Sequence, residues 1–307
     1  MMEGRIVKAT GSWYHVRLDN GEFIDCRLPG KFRLDEEETT NPIAVGDRVS
    51  LTMQSDNTAT IDDIRDRRNY LIRKATHGRR GTQIIASNVD QVLIIQSLKQ
   101  PVFKTGFIDR LLVSCEAHEI PAVVVMNKTD LVESKKDSES LDETERLYSE
   151  LGYMFLQSSI YDHASVEKLG DIIKGKMSVL TGPSGTGKTS LLNKLIPGQK
   201  LKTGDISRFS GKGKHTTTFA QVMTLPEDTY LIDTPGIREF GLVEIQPYEL
   251  SLFFPEMRSH REYCRFYNCT HHHEPSCAIK KAVENGQIAE SRYRSYVNIL
   301  QSIKQDF

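Results

Sequence analysis

Three successive patterns along the 307 residues predict a multidomain chain. Short alternating apolar runs over 1–68 predict an all-β barrel. Apolar strands alternating with amphipathic stretches over 69–245 predict an α/β unit with a mostly parallel sheet. A cysteine-bearing tail over 246–307 reads as helical. Length agrees, since roughly 150 residues per domain allows about two domains and a small third. A hydrophobic fraction of 38% is enough for a real core and excludes whole-chain disorder. Forty basic against forty-one acidic residues give a net charge of −1, which excludes a globally basic nucleic-acid coat but not local basic patches. No apolar run reaches about 18 residues, so no membrane span is expected. The first nine residues carry Glu3, Arg5 and Lys8 without an apolar stretch, unlike a secretory signal. A cytosolic chain is expected.

In the first region the alternating runs 5–8, 13–18, 22–28, 47–51 and 59–64 predict five short strands. Gly11, Asn20-Gly21, Pro29-Gly30 and Gly46-Asp47 punctuate them. The acidic run 35–38 reads as a solvated loop. Over 65–80, seven of sixteen residues are Lys or Arg against one acid, Asp66. This stretch reads as a linker, either a solvated loop or a phosphate-contacting strip. From 88 the order is strand 89–96, helix 108–118, strand 122–126, helix 140–151, strand 153–157, helix 166–174, strand 177–180, helix 188–195, then strands 219–224 and 229–232. Continuous apolar strands separated by helices predict a sheet covered on both faces. The tail carries helices at 278–283 and 291–303.

Gly182-Pro183-Ser184-Gly185-Thr186-Gly187-Lys188-Thr189 fits G-x-x-x-x-G-K-[ST] between a predicted strand and a helix that continues at Ser190. Such a loop turns backbone N–H groups onto phosphate oxygens. Lys188 is expected to reach the β- and γ-phosphates and to act in catalysis, and the Thr189 hydroxyl to ligate Mg²⁺. Asn127-Lys128-Thr129-Asp130 follows the strand 122–126. Guanine presents N1–H and its 2-amino group side by side, and the Asp130 carboxylate can accept both; adenine offers no such pair. Asn127 can bond the purine edge, and the Lys128 stem can lie along the ring. Ser158 and Ser159 offer a further base contact through backbone N–H. Asp233-Thr234-Pro235-Gly236 ends another strand. Asp233 is expected to hold Mg²⁺ through water and the Gly236 N–H to meet the γ-phosphate. The segment 211–218 occupies the place of a first switch, and one of Thr216, Thr217 and Thr218 is expected to close onto Mg²⁺, with Thr217 favoured. Where many GTPases carry a water-orienting Gln, this chain has Ile237, which cannot hydrogen-bond water. Another group must act, or the intrinsic rate must be low; His215 is the candidate for positioning water, in part because the chain resembles GTPases with a matching histidine.

The order of these motifs is rotated. The base-reading motif at 127 precedes the phosphate loop at 182, and the aspartate motif at 233 comes last. Joining the old ends near 174–177 preserves the sheet and leads the second switch directly into the tail, on which nucleotide-driven movement would act. In that tail, Cys264, Cys269 and Cys277 with one histidine supply four soft ligands for a closed tetrahedral zinc site. His271 is the chosen histidine, and on spacing alone His272 and His273 remain alternatives.

Nearly the whole chain resembles the RsgA (YjeQ/YloQ) family of circularly permuted GTPases. The similarity is carried by Asn88-Val89-Asp90-Gln91-Val92, the 127–130 motif, the loop 182–190, Lys214-His215-Thr216-Thr217-Thr218, Asp233 to Gly236 and the cysteine–histidine tail. The resemblance implies an N-terminal OB-type β-barrel, a central α/β circularly permuted P-loop GTPase and a C-terminal helical zinc-binding domain. It implies zinc on Cys264, Cys269, His271 and Cys277, and Mg²⁺ with GTP. It further implies a late role in maturing the small (30S) ribosomal subunit through contact with its 16S-type rRNA, with hydrolysis stimulated by that particle. The barrel can bind RNA on a strand face. A permuted GTPase with attached domains requires no partner chain, so a monomer is expected. Two other readings are an RNA-binding module with a purely structural nucleotide, and an ATP-using kinase; the 127–130 motif opposes the latter.

Overall fold

The computed structural model describes residues 2–10, 13–29, 42–74, 82–196, 221–233 and 245–304. The acidic run 35–38, Gly78 to Gly81, the segment 211–218 with His215 and Thr217, and Gly236 and Ile237 lie outside the described residues.

The N-terminal unit is a closed five-stranded barrel. Its strands are β1 (Met2–Thr10), β2 (Trp13–Leu18), β3 (Phe23–Arg27), β4 (Arg48–Met53) and β5 (Ala59–Ile64), in the order β1-β2-β3-β5-β4 with β4 returning to β1. Alternation sorts the side chains. Tyr14, Val16 and Leu18 of β2 point inward with Ile6, Cys26, Val49, Leu51 and Ile61, while Trp13, His15 and Arg17 face outward.

The stretch read as a linker folds differently. β6 (Tyr70–Lys74) pairs antiparallel with β7 (Thr82–Ser87), burying Leu71, Ile72, Ile84 and Ala86. The basic residues leading into it are structural. Arg67 grips the fully buried Asp47 through two hydrogen bonds of 2.7 and 2.8 Å, and Arg68 meets Asp90 at 2.6 Å. Arg65 pairs with Glu3. Arg65 and Arg67 tie segments of the barrel to one another, and Arg68 fastens the barrel to the next unit. A count of charge sees their sign but not their distant partners.

The central sheet contains β8 (Gln91–Ser97), β9 (Ala122–Asn127), β10 (Met154–Gln157), β11 (Met177–Thr181), β12 (Gln221–Leu225) and β13 (Thr229–Asp233). Its order is β10-β9-β8-β11-β13-β12, parallel except for the β12–β13 hairpin. Helices α1 (Thr105–Ala117) and α2 (Lys135–Glu150) cover one face through Ile108, Leu111, Leu112, Leu141 and Tyr148. Helices α3 (His163–Ile173) and α4 (Lys188–Leu195) cover the other through Val166, Leu169, Leu191 and Leu192. Burial on both faces explains the unbroken apolar strands. Helix α2 begins five residues before its expected start because Ser134 and Asp137 cap each other's backbone N–H groups at 3.2 and 3.1 Å. The rotated ends meet in the short turn between α3 and β11. Among the described residues, no helix is long and apolar enough to cross a membrane.

The tail packs α5 (Pro255–Arg261), α6 (Ala278–Glu284) and α7 (Glu290–Lys304) around Phe254, Met257, Ile279, Tyr296 and Leu300, with Val113 of α1 in the same core. Arg292 of α7 is fully buried. It donates to Asp109 of α1 at 2.6 Å and to Glu256 of α5 at 2.7 and 3.2 Å, and it lies 4.7 Å from the Phe254 ring centroid. Tyr148 of α2 donates to the same Asp109 oxygen at 2.8 Å. Burial opposes the Arg292 charge, but Asp109 and Glu256 outweigh it and raise its pKa. Burial pushes the Asp109 carboxyl up, against the pull of Arg292. Replacing Arg292 by Met leaves two buried carboxyls without a countercharge. It should cost about 3–5 kcal/mol in urea unfolding, whereas exposed Arg294→Ala should stay within about 0.5 kcal/mol. A loss below about 1 kcal/mol for Arg292→Met would show that this cluster does not hold the tail in place.

Candidate active site and metal centre

The parallel strands β8, β9, β10, β11 and β13 deliver their following loops to one edge of the sheet. Register fixes the neighbours: Ser97 sits opposite Asn127, Gln157 opposite Met126, Thr181 opposite Ile94, and Leu180 opposite Asp233. In open α/β sheets the carboxyl edge is where ligands bind. The phosphate-loop motif follows Thr181 there, the base-reading motif ends β9, and Asp233 closes β13.

The loop 182–187 allows little substitution. A Cβ on Gly182 would stand 2.1 Å from the Ile95 carbonyl oxygen. Gly187 caps α4 at φ +91°, and a Cβ there would stand 2.3 Å from Asn127 Nδ2. The loop and the base-reading motif therefore touch directly. Asn127 Nδ2 donates to the Thr186 carbonyl at 2.8 Å. Thr186 is buried and donates its hydroxyl to Pro183 O at 3.0 Å. Lys188 Nζ lies across the loop on the Gly182 and Pro183 carbonyls at 2.8 and 2.9 Å, so its charge is held over the concave side. Ser184 and Gly185 are exposed, and Thr189 and Ser190 form the first turn of α4.

At the base-reading end, Asp130 is exposed and accepts from Ser159 Oγ at 2.5 Å. That bond fixes the rotation of the carboxylate. Lys128 takes a left-handed backbone (φ 62°) and donates to the Gln100 carbonyl at 2.8 Å, which stretches its stem along the site wall. Thr129 donates to the Ser158 carbonyl through both N and Oγ1 at 3.2 Å. The expected base contact from the 158–159 amides is not available. Ser158 N–H goes to Met126 O at 2.9 Å, extending the β9–β10 hydrogen bonding past Gln157, and Ser159 N–H goes to Ser165 Oγ at 3.2 Å. The hydroxyl of Ser159 contributes instead. Neither it nor the Gln100 carbonyl had a signal in sequence beyond position. Asn127 Oδ1, Ser158 Oγ and Thr181 Oγ1 are buried at this edge with no hydrogen-bond partner. Orphaned groups are costly in a core and fit a site completed by a polar ligand. The hydroxyl and carboxylate donors Thr189 and Asp233 are hard oxygens suited to Mg²⁺.

In the tail, one ligand atom each from Cys264, Cys269, His271 and Cys277 lies within 4.8 Å of the others. Cys264 Sγ and Cys277 Sγ are 3.9 Å apart, and each is 3.4 Å from His271 Nδ1. Zinc–sulfur bonds of about 2.3 Å in a tetrahedron set sulfur–sulfur edges of about 3.8 Å, so the donor set fits zinc. His271 joins the cluster, whereas His272 and His273 do not. Its Nε2 meets Ser251 Oγ at 3.1 Å, which fixes the ring with Nδ1 toward the cluster. Burial lowers the imidazole to about 4, keeping it neutral and able to coordinate at pH 7. Glu274 organises the loop by accepting from Thr270 N and Oγ1, both at 2.7 Å, and from His272 N at 3.1 Å. Burial opposes its charge, but these donors hold it down to about 2. Ser251 and Glu274 lie outside any metal-ligand spacing and were not legible in sequence.

A phosphate loop and a base-reading motif meet on one sheet edge in rotated chain order, between an OB-type barrel and a Cys₃His cluster. These features define a circularly permuted P-loop GTPase. The RsgA GTPase profile matches residues 64–243, and the RsgA N-terminal domain profile matches residues 3–61. Small ribosomal subunit biogenesis GTPase RsgA 2 of Bacteroides thetaiotaomicron is 42% identical over 300 residues, covering 98% of this chain and 96% of the relative. Its counterpart from Flavobacterium johnsoniae is 42% identical over 312 residues, covering 100% and 95%. Among solved structures, YjeQ from Thermotoga maritima superposes with a TM-score of 0.80 at 36% identity, covering 98% of both chains. YloQ, a circularly permuted GTPase, gives 0.78 at 28% identity, covering 100% and 96%. The chain belongs to the RsgA GTPase family, and its reaction is hydrolysis of GTP.

The base contact is testable by inversion. Xanthine carries a carbonyl where guanine carries its 2-amino group. Asp130→Asn should weaken GTP binding at least about 100-fold and make xanthosine triphosphate the preferred ligand. An unchanged preference, measured by competition against a fluorescent guanine nucleotide, would remove Asp130 from that role.

Proposed function

We propose that this GTPase binds the small ribosomal subunit and its rRNA, assists the late maturation of that particle in the cytoplasm, and turns over GTP faster when bound to it. The observation that carries this reading is full-length similarity, at 42% identity, to relatives named for small-subunit biogenesis. The barrel's outward face supports it. Trp13 stacks with Arg27 at 4.1 Å, His15 faces Asp25, and Phe23 is exposed. Aromatic and basic groups on one strand face suit nucleic acid. We set the functional boundaries near residues 68 and 245, giving a barrel over 1–68, the GTPase unit over 69–245 and a zinc-binding helical unit over 246–307, which acts as a monomer.

In the mechanism that follows, Asp130 reads guanine, Asn127 contacts the purine edge, and the Lys128 stem lies along the ring. The amides of 182–190 and Lys188 hold the phosphates in line for attack and stabilise developing charge. Mg²⁺, when bound, would neutralise charge between the β- and γ-phosphates. Thr189, Thr217 and, through water, Asp233 are the residues proposed to hold it. Gly236 would donate to the γ-phosphate, and His215 would orient the attacking water in place of the usual Gln. The second switch leads into the tail, which Arg292 anchors on α1, so the switches and the zinc unit are linked through that contact. Zinc on Cys264, Cys269, His271 and Cys277 would be structural, since four protein ligands leave no open position.

The zinc-loaded protein should hydrolyse GTP slowly alone and at least about 10-fold faster with small subunits. Large subunits should not stimulate it, and ATP should not replace GTP. Equal rates with and without small subunits would retain the nucleotide chemistry and overturn the ribosomal reading.

A further inference from the structure

The barrel and the GTPase sheet are one continuous sheet, but the join is slight. Among the described residues, β1 meets β12 at a single pair, Lys8 opposite Gln221. A stronger contact lies one strand further in. Tyr230 of β13 is 4% exposed, and two barrel guanidiniums sit over its ring, Arg5 at 5.3 Å and Arg17 at 5.7 Å from the centroid. Arg17 Nη1 also donates to the Tyr230 hydroxyl and to Asp228 in the β12–β13 turn. The hydrogen bond to Asp228 raises the Arg17 pKa, while burial lowers that of Arg5. Neither shift approaches neutrality for a guanidinium, so both remain charged.

Tyr230 stands three residues before Asp233 on the same strand, about 10 Å away at the rise of an extended chain. The strand is stiff over that length, and its far end lies beside Leu180, at the entry to the phosphate loop. We propose that Arg17 is a positioning residue for GTP hydrolysis. Gripping Tyr230 and Asp228 from the barrel sets where β13 presents Asp233 to the phosphate-bound Mg²⁺. Guanine recognition, three strands away on β9, is independent of this grip. Arg17 shares the outward face of β2 with Trp13 and His15, so the strand that would meet RNA is the strand that holds the hairpin. The inference rests on the reading of Asp233 as a Mg²⁺ contact.

The test uses the full-length, zinc-loaded protein and a fluorescent GDP. Its affinity is titrated over Mg²⁺ and repeated in EDTA, and kcat and KM for GTP are measured alongside. Arg17→Ala should raise the Mg²⁺ needed for half-maximal effect about 10-fold, the low end for loss of a group that orients a metal ligand. It should lower kcat while leaving GDP affinity in EDTA within about two-fold. Arg17→Lys, which keeps the charge but loses the fork, should fall between. Arg48→Ala is the control for barrel integrity, because it breaks the barrel pairs of Arg48 with Asp19, at 2.7 and 2.9 Å, and with Glu3, and leaves the Arg17 hydrogen bonds to Tyr230 and Asp228 in place. It should leave the Mg²⁺ curve in place. Superimposable Mg²⁺ curves for Arg17→Ala and the parent chain would overturn the proposal, as would an equal shift in Arg48→Ala. Asp233→Asn separates the two claims. If it leaves the Mg²⁺ curve unmoved, the Asp233 reading fails. If it moves the curve while Arg17→Ala does not, only the grip fails.

Discussion

The parallel pairing of β11 between β8 and β13 is the constraint on which the other features rest. With the β8–β9 and β9–β10 pairings, it brings Thr181, Asn127, Gln157 and Asp233 to one edge by register alone, whatever order the strands take along the chain. That is why a rotated chain can still build a guanine-nucleotide site. A slip of one residue in any of these pairings would turn every side chain of that strand to the opposite face. It would also carry the adjoining loop out of reach of its neighbours. The direct contact between Gly187 and Asn127 leaves no slack for such a slip.

The appended units attach to this sheet by charge as well as by apolar packing. On the barrel side, Arg68 closes on Asp90, and Arg5 and Arg17 close on Tyr230. On the tail side, Arg292 bridges Asp109 and Glu256, while Val113 lies in the tail's core. Two hydroxyls extend the tail's order to the metal loop, from Tyr293 to His271 O at 2.8 Å and from Tyr296 to Thr270 O at 2.9 Å. The Cys₃His cluster, α7 and α1 thus form one connected body, with the nucleotide-edge loop 98–104 at the head of α1.

Much of this was legible in sequence because the chemistry is local. The phosphate loop, the base-reading motif and the three cysteines are short, and each sits next to an element whose periodicity is strong. What escaped depends on partners distant in the chain. The hairpin of β6 and β7 was hidden by Arg73 and Lys74, whose charges dominate a stretch in which Leu71 and Ile72 decide the burial. The choice among three adjacent histidines needed the position of Ser251, twenty residues upstream. The serine that contacts Asp130 was found at the expected turn, but it acts through its hydroxyl because the ladder to Met126 consumes the neighbouring amide.

Dispersed, rotated segments form one nucleotide site, and hydrogen–deuterium exchange with and without Mg²⁺-GDP tests this. Exchange should slow at 127–130, 158–161 and 182–190 together, with identical midpoints when GDP is titrated. Protection confined to 182–190, or midpoints that differ between the three segments, would contradict it.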